Sequence, residues 1–439
     1  MPDLKQVALQ IFRETLAAID IPSAMRYKLA RAGSQVSVDG MTVDLIAYER
    51  ICAIAVGKAS VAMARGLAEL LSPDFRANGI VVAPTGASGP PEGFSLIVAG
   101  HPVPDKGSFA AGRAILDLLA TVNERTLVFF LLSGGGSALV EFPLHPGITL
   151  EDMQALNSEL VTCGASIDEI NAVRKHLSAV KGGRLAVAAG RATQITLAIT
   201  DVPEGQESAL ASGPTLPDPT TVLDACGVVL RYELHSKLPP AFRTLFDHPD
   251  SIPETPKPGN PAFDPRRSAF RILLGRHDLF HGAHRASECR EFITVCDNIT
   301  DNWPIEKAVD FLLSELEALK QANPGKSVAV IADGEVSSPV TGNGIGGRNL
   351  AFVLDCVKKI GGKKIAVLSA GTDGVDGSSP AAGAVADGET LAHAQFQGMD
   401  PADYFRRSDS YTFFRKLGDA VETGPTGNNL RDLRILLAE

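Results

Sequence analysis

The chain has 439 residues, 45% hydrophobic and 21% charged, which is ordinary globular usage and too long for a single small core. Lys and Arg number 41 against 51 Asp and Glu, a net charge of -10, so the overall field has the wrong sign for a nucleic-acid binder that works by neutralising phosphates. Apolar runs such as 127–132 are far shorter than the roughly 18 residues a membrane span needs.

The first twenty positions carry Asp3, Glu14 and Asp20 among apolar residues at helical spacing, which predicts an acidic amphipathic helix and not a secretory signal. Cys52, Cys163, Cys226, Cys289, Cys296 and Cys356 form no C-x-x-C pair. Scattered in this way they read as buried thiols in a reducing, cytoplasmic setting.

From residue 51 onward short β-rich runs alternate with helical patterns. Strands are predicted at 51–56, 79–83, 96–99, 127–132, 195–200, 271–274, 292–295, 328–332 and 364–369. Each is nearly continuous in Val, Ile, Leu, Phe and Ala, as parallel strands covered on both faces must be. Helices are expected between them at 59–71, 108–122, 150–163 and 305–321. The alternation predicts an α/β protein of two doubly wound, Rossmann-like domains. Prolines 249, 253, 256, 258, 261 and 265 each remove a backbone donor, so that stretch reads as a linker between domains at 1–250 and 266–439.

The strands run into polar or glycine-rich turns, and these carry the functional reading. The first ends at Gly57-Lys58-Ala59-Ser60, the third at Gly100-His101-Pro102-Val103-Pro104-Asp105, and the fifth predicted strand at Asp201. The fourth ends at Ser133, Gly134, Gly135, Gly136 and Ser137. In the second half, Asp333-Gly334-Glu335 and the run from Gly371 through Thr372, Asp373, Gly374, Val375, Asp376 to Gly377 close two more. Ligands of open α/β sheets bind at the carboxyl ends of strands, so turns from both halves predict an active-site cleft between the domains.

Each turn has a chemistry and a plainer alternative. The glycines at 134–136 admit a ligand close to the backbone, and a helix starting there would offer N–H groups to a carboxylate or phosphate; a tight turn explains them equally simply. The run from Thr341 through Gly346 and Gly347 ends in Arg348, whose planar fork matches two phosphate oxygens, unless it is only a flexible hairpin with a surface arginine. Lys58 resembles a P-loop lysine, but Cys52 and Ala59 stand where that motif needs Gly and Ser or Thr. An ammonium at a strand–helix junction can still reach phosphate oxygens.

Ser166 and Glu169 form a capping box that starts a helix, and Arg174, Lys181 and Arg184 fall on nearly one face if it continues through Gly182-Gly183. That basic stripe would hold an anionic substrate, or else is a solvated face. Asp373 and Asp376, with Asp201, could ligate Mg²⁺ or simply brace their turns. His277, His281 and His284 share a helical face, with no fourth ligand at zinc spacing. Neither a G-x-G-x-x-G dinucleotide fingerprint after a strand nor a G-x-S-x-G elbow occurs.

These blocks, in this order, resemble the class II glycerate 2-kinases with their C-terminal MOFRL module. The matching stretches are Ala55–Ala59, 100–105, 132–139, Asn171-Ala172-Val173-Arg174-Lys175-His176-Leu177-Ser178, Lys181-Gly182-Gly183, Ser212-Gly213-Pro214-Thr215, Gly346-Gly347-Arg348-Asn349, Gly371-Thr372-Asp373-Gly374 and Thr423-Gly424-Pro425-Thr426-Gly427. The resemblance covers nearly the whole chain and places the MOFRL module near 327–436.

It implies transfer of the ATP γ-phosphoryl group to the C2 hydroxyl of glycerate, with Mg²⁺. Lys58 and Arg348 match the family's catalytic phosphate-handling residues, and Asp201 would join them or hold metal. Ser133, Gly134, Gly135, Gly136, Ser137, Arg174, Lys181, Gly346, Gly347 and Asn349 would bind substrate or phosphate, and Asp373 and Asp376 the metal. Small-molecule substrates, no nucleic acid, no membrane and room for a homodimer complete the expectation.

Two stretches depart from the family. Glu204-Gly205-Gln206-Glu207 follows Asp201-Val202-Pro203 where Gly-Asp-Asp is usual, and Gly344-Ile345-Gly346-Gly347-Arg348-Asn349-Leu350-Ala351 lacks one Arg and the Gln-Glu pair. The alternatives are an NAD(P)H-dependent hydroxypyruvate reductase, which is a name often given to relatives, a kinase for a related hydroxy acid, and a catalytically silent sensor on the same fold.

Overall fold

A computed structural model describes residues 3–200, 202, 205–428 and 430–439. The chain forms two compact units, Ile21–Leu273 and the pair of segments Met1–Asp20 with Leu274–Glu439.

The first unit begins with an antiparallel three-stranded sheet, β1 (Ala30–Ala32), β2 (Gln35–Val38) and β3 (Met41–Asp44). A larger sheet follows, from β4 (Arg50–Val56), β5 (Asn78–Ala83), β6 (Phe94–Val98), β7 (Thr126–Leu132), β8 (Thr193–Ile199) and β9 (Ser268–Leu274), in the order β6-β5-β4-β7-β8-β9. Strands β4 to β8 pair in parallel. Every residue of β7 and β8 is buried, which explains their unbroken apolar runs. Val56 pairs with Val82 on one side and Leu132 on the other, so β4, β5 and β7 leave the sheet at one level. Helices Leu150–Thr162, Ile167–Leu177, Val222–Arg231 and Pro240–Asp247 share a second apolar cluster in this unit. Capping boxes at Thr149/Asp152, Ser166/Glu169 and Thr221/Asp224 satisfy the free N–H groups that start three of them.

The second unit carries β10 (Ile293–Asp297), β11 (Val328–Asp333), β12 (Ile365–Gly371), β13 (Gly383–Asp387), β14 (Ala420–Val421) and β15 (Asp432–Ala438), in the order β10-β11-β15-β12-β13-β14. Among its described strands only the β10–β11 pair is parallel. The last strand, β15, inserts antiparallel between β11 and β12, and so the sheet is mixed where an all-parallel one was expected. Its register sets Asp432 against Gly371 and Leu433 against Asp333, bringing the end of β11, the end of β12 and the start of β15 to one edge.

Both expected domain boundaries shift. The amphipathic helix forms at Leu4–Ala18, but its buried face, with Val7, Ile11 and Phe12, belongs to the second unit, where it packs on helix Arg276–Glu288. The proline-rich stretch is no free linker. Its carbonyls accept from elsewhere in the first unit, Pro253 from Arg184 Nη2 at 2.9 Å and Pro256 from the Asp218 amide at 3.0 Å. Between its short turns at Pro249–Ser251 and Pro261–Phe263, proline leaves few local donors, so these two carbonyls accept from distant ones. Among the described residues no helix is long and apolar enough to cross a membrane.

Candidate functional site

In the first unit the ends of β4 and β7 are stitched together. The Ser133 Oγ accepts from the Ala59 amide at 3.0 Å, and the Gly134 carbonyl accepts from the Lys58 amide at 2.9 Å. These bonds fix the Lys58 backbone while leaving its side chain exposed. Gly57 makes the approach feasible: at φ +123°, an added Cβ would lie 2.1 Å from Ser133 Oγ. Across the edge, a Cβ on Gly135 would meet the His101 ring at 3.0 Å, so His101, Lys58 and residues 133–137 share one patch. Burial lowers the His101 pKa, and the nearby Lys58 charge lowers it further, which favours the neutral imidazole.

The glycine loop is tied from the other side as well. Ser137 and Ser212 exchange a hydroxyl hydrogen bond at 2.9 Å, and Ser212 donates to Asn171 Oδ1 at 3.0 Å. Ala211 and Ser212 hold positive φ values of 50° and 58°, strained for side-chain-bearing residues. The helix after the loop, Gly136–Leu139, has only 4 residues, so the anion-binding helix terminus expected there has little dipole behind it. Ser133 is fully buried and braces the turn; Gly134, Gly135 and Ser137 are partly open.

The expected basic stripe does not form. The helix ends at Leu177, and Gly182 and Gly183 turn the chain at φ 55° and 81°. Lys181 is 1% exposed, its Nζ 2.8 Å from Glu141 Oε2 and 2.9 Å from the Val140 carbonyl. That is a core ion pair, and the structure removes Lys181 from the ligand-binding set. Arg174 is partly buried, with its guanidinium on Asn157 Oδ1. Asp201 lies outside the described residues.

In the second unit, residues 304–306, 336–348, 373–378 and 405–410 contribute to a cavity of about 890 Å³, at the large end for a small-ligand site. Arg348 and Gly347 line it, as do Asp373 and Asp376. Arg348 opens helix Arg348–Ile360 and is already paired: Nε lies 2.5 Å and Nη2 3.2 Å from the two Asp432 oxygens, and Nη1 lies 2.8 Å from Glu335 Oε2. Burial opposes its charge, but these carboxylates outweigh burial and raise its pKa.

Asp376 has a different occupation from the one expected. Its Oδ1 accepts from the Asn349 amide and Nδ2 at 3.1 and 3.3 Å, and its Oδ2 accepts from the Leu350 amide at 2.8 Å. It caps the helix internally, so the Asn349 amide, on a residue expected to bind phosphate, is already engaged within the protein. Asn349 is buried and also accepts from Ser369 Oγ at 2.6 Å. Burial pushes Asp376 up to about 6.

Two family models match the chain: a domain of unknown function, DUF4147, over residues 7–247 and the MOFRL family over 328–432. A D-glycerate 2-kinase of Thermotoga maritima is 36% identical over 438 residues, 98% of each chain. A solved glycerate kinase structure from Thermotoga maritima superposes with a TM-score of 0.85 at 34% identity, covering 100% of both chains. The chain belongs to the glycerate 2-kinase family. One further relative, from Agrobacterium vitis, 36% identical over 88% of this chain and 87% of its own, is named as a candidate hydroxypyruvate reductase.

The sequence resemblance implies Mg²⁺, and the side chains present fit it only in one form. Among the described residues no group of three His, Cys, Asp or Glu side chains could hold a metal, and Asp376 spends its oxygens on N–H donors. Mg²⁺ commonly keeps its waters and binds one or two carboxylates plus substrate phosphates, which fits Asp373 on the cavity wall.

Sequence reasoning gave no role to Glu335, Asp432 or His101. Glu335 and His101 sit in strand-end turns it had marked. Asp432 had no such signal, because β15 was not predicted.

Proposed function

We propose that the protein transfers the γ-phosphoryl group of ATP to the C2 hydroxyl of glycerate, giving 2-phosphoglycerate and ADP. The observation that carries this is Lys58, an exposed ammonium whose backbone is pinned to the glycine loop at the carboxyl edge of a parallel sheet. Phosphoryl transfer needs little covalent help from protein; positioned cations that neutralise developing charge do most of the work. Lys58 and Arg348 each serve that role. Gly134, Gly135 and Ser137, with Arg174, hold the anionic end of the acceptor, and the cavity beside Arg348 takes the donor. Asp373 would hold Mg²⁺ bound to the donor phosphates, where the ion would supply charge neutralisation, and Asp201 orients the attacking hydroxyl.

An ATP-coupled assay across glycerate and related hydroxy acids tests this, with the position of the phosphate in the product read by phosphorus NMR. A phosphomonoester at C2 supports the reading. NADH loss with hydroxypyruvate and no ATP consumption with glycerate would replace it with the reductase reading.

A further inference from the structure

The guanidinium of Arg348 has two carboxylate partners of unlike character. Asp432 takes Nε and Nη2 side-on, at 2.5 and 3.2 Å, and its side chain is 4% exposed. It starts β15, the strand between β11 and β12, with its backbone registered against Gly371, so it is anchored in the sheet. Buried Arg434 lies 3.9 Å from the same carboxylate. Glu335 instead takes Nη1 through a single contact of 2.8 Å, from a loop and with a side chain 46% exposed. A two-point buried fork fixes the plane of a guanidinium, whereas a one-point, half-exposed pair is weak and easily exchanged.

We propose that Asp432 is the positioning residue that aims Arg348, and that Glu335 is a built-in anion occupying Nη1 until a phosphate oxygen of the donor replaces it. This rests on the kinase reading above and deepens it. The exchange breaks no covalent bond: Nη1 keeps its proton and passes its hydrogen bond from one anionic oxygen to another, and the Glu335 carboxylate turns to solvent. Having Glu335 in place gives a partner to Nη1, the guanidinium nitrogen that the Asp432 fork does not engage, at the cost of competing with the ligand. The two partners therefore predict opposite effects. Removing charge from Glu335 strengthens donor binding, and removing it from Asp432 damages turnover.

The test uses the full chain and ATP, with binding measured by calorimetry in the absence of glycerate and turnover by the coupled assay. Glu335→Gln should tighten the ATP Kd by about twofold to fivefold, the size of one half-exposed ion pair; an unchanged or weaker Kd overturns the placeholder. Asp432→Asn should lower kcat by about tenfold or more with the glycerate KM little changed, and an unchanged kcat overturns the positioning role. If Asp432→Asn does not fold, Arg348→Lys decides, because it keeps the charge and loses the fork. A wild-type kcat in Arg348→Lys removes any need for orientation. ATP binding without glycerate turnover by the native chain would refute the acceptor assignment while the Glu335→Gln result still judged the clamp.

Discussion

Gly57→Ala probes the contact on which the Lys58 geometry depends. The new methyl would sit 2.1 Å from Ser133 Oγ and 2.5 Å from the Ser133 carbonyl oxygen, at φ +123°. A side-chain-bearing residue in such a backbone region costs about 1–3 kcal/mol, and overpacking a closed contact costs about 1–3 kcal/mol. Together they predict a loss of roughly 2–6 kcal/mol. The chain can relieve the clash only by moving β4 away from β7, which strains the Lys58–Gly134 and Ala59–Ser133 hydrogen bonds. A displacement of about 1 Å at the lysine would lower kcat by roughly a hundredfold in the molecules that still fold. Denaturant unfolding gives the first quantity and the coupled assay, corrected for folded fraction, gives the second. Ser133→Gly added to Gly57→Ala should recover only part of the stability, since the carbonyl contact at 2.5 Å remains. A Gly57→Ala protein within about 1 kcal/mol of wild type, with normal kcat, would refute the reasoning; that is less than either cost alone predicts.

Lys181→Met should destabilise by about 3–5 kcal/mol because it strands the buried Glu141 charge, while kcat/KM per folded molecule stays near wild type; a selective rise in glycerate KM would return Lys181 to the site. Asp333 is fully buried, among the described residues neither of its side-chain oxygens has a hydrogen-bond partner, and burial outweighs Arg276 and Arg431, each 4.0 Å from Oδ2, to push it up to about 6 from 3.8. Because the folded state holds this proton more tightly than the unfolded chain, the group costs stability as pH rises from about 4 to about 6. Asp333→Asn should therefore be more stable than wild type at pH 7.5, by up to about 3 kcal/mol, and no more stable at pH 4; a variant less stable at pH 7.5 contradicts this. Asp376→Asn should lower Tm with little change in the Mg²⁺ concentration needed for half-maximal rate, whereas Asp373→Asn should raise that concentration several-fold. The reverse pattern, read from a Mg²⁺ titration of the coupled assay, would make Asp376 the ligand.

Much of the fold is legible in the residues because buried parallel strands need unbroken apolar runs. The nine predicted strands all exist as β4 to β12, within a few residues. Strands β1 to β3 escape because their alternation is short and polar on one face, with Gln35, Ser37 and Thr42 among the apolar positions. Strand β15 escapes because Asp432-Leu433-Arg434 reads as a polar tail, and only the sheet explains why a fully buried arginine sits there: its Nη atoms reach the Asp333 and Gly334 carbonyls at 3.2 and 2.9 Å. The site shows the same division. Glycine and lysine at strand ends mark where the chain turns and are visible in one dimension. Whether a charged residue faces a ligand or a partner depends on pairings between distant segments. Lys181 with Glu141 and Asp376 with Asn349 are pairings of that kind, and both turn an expected ligand contact into internal structure.

The claim on which the account stands is that the Lys58 ammonium acts on the transferring phosphoryl group. Lys58→Ala, measured under saturating ATP and glycerate, should lose about a hundredfold to a thousandfold in kcat while its Tm stays at the wild-type value, since the side chain is exposed. A Lys58→Ala enzyme that turns over at the native rate would contradict it.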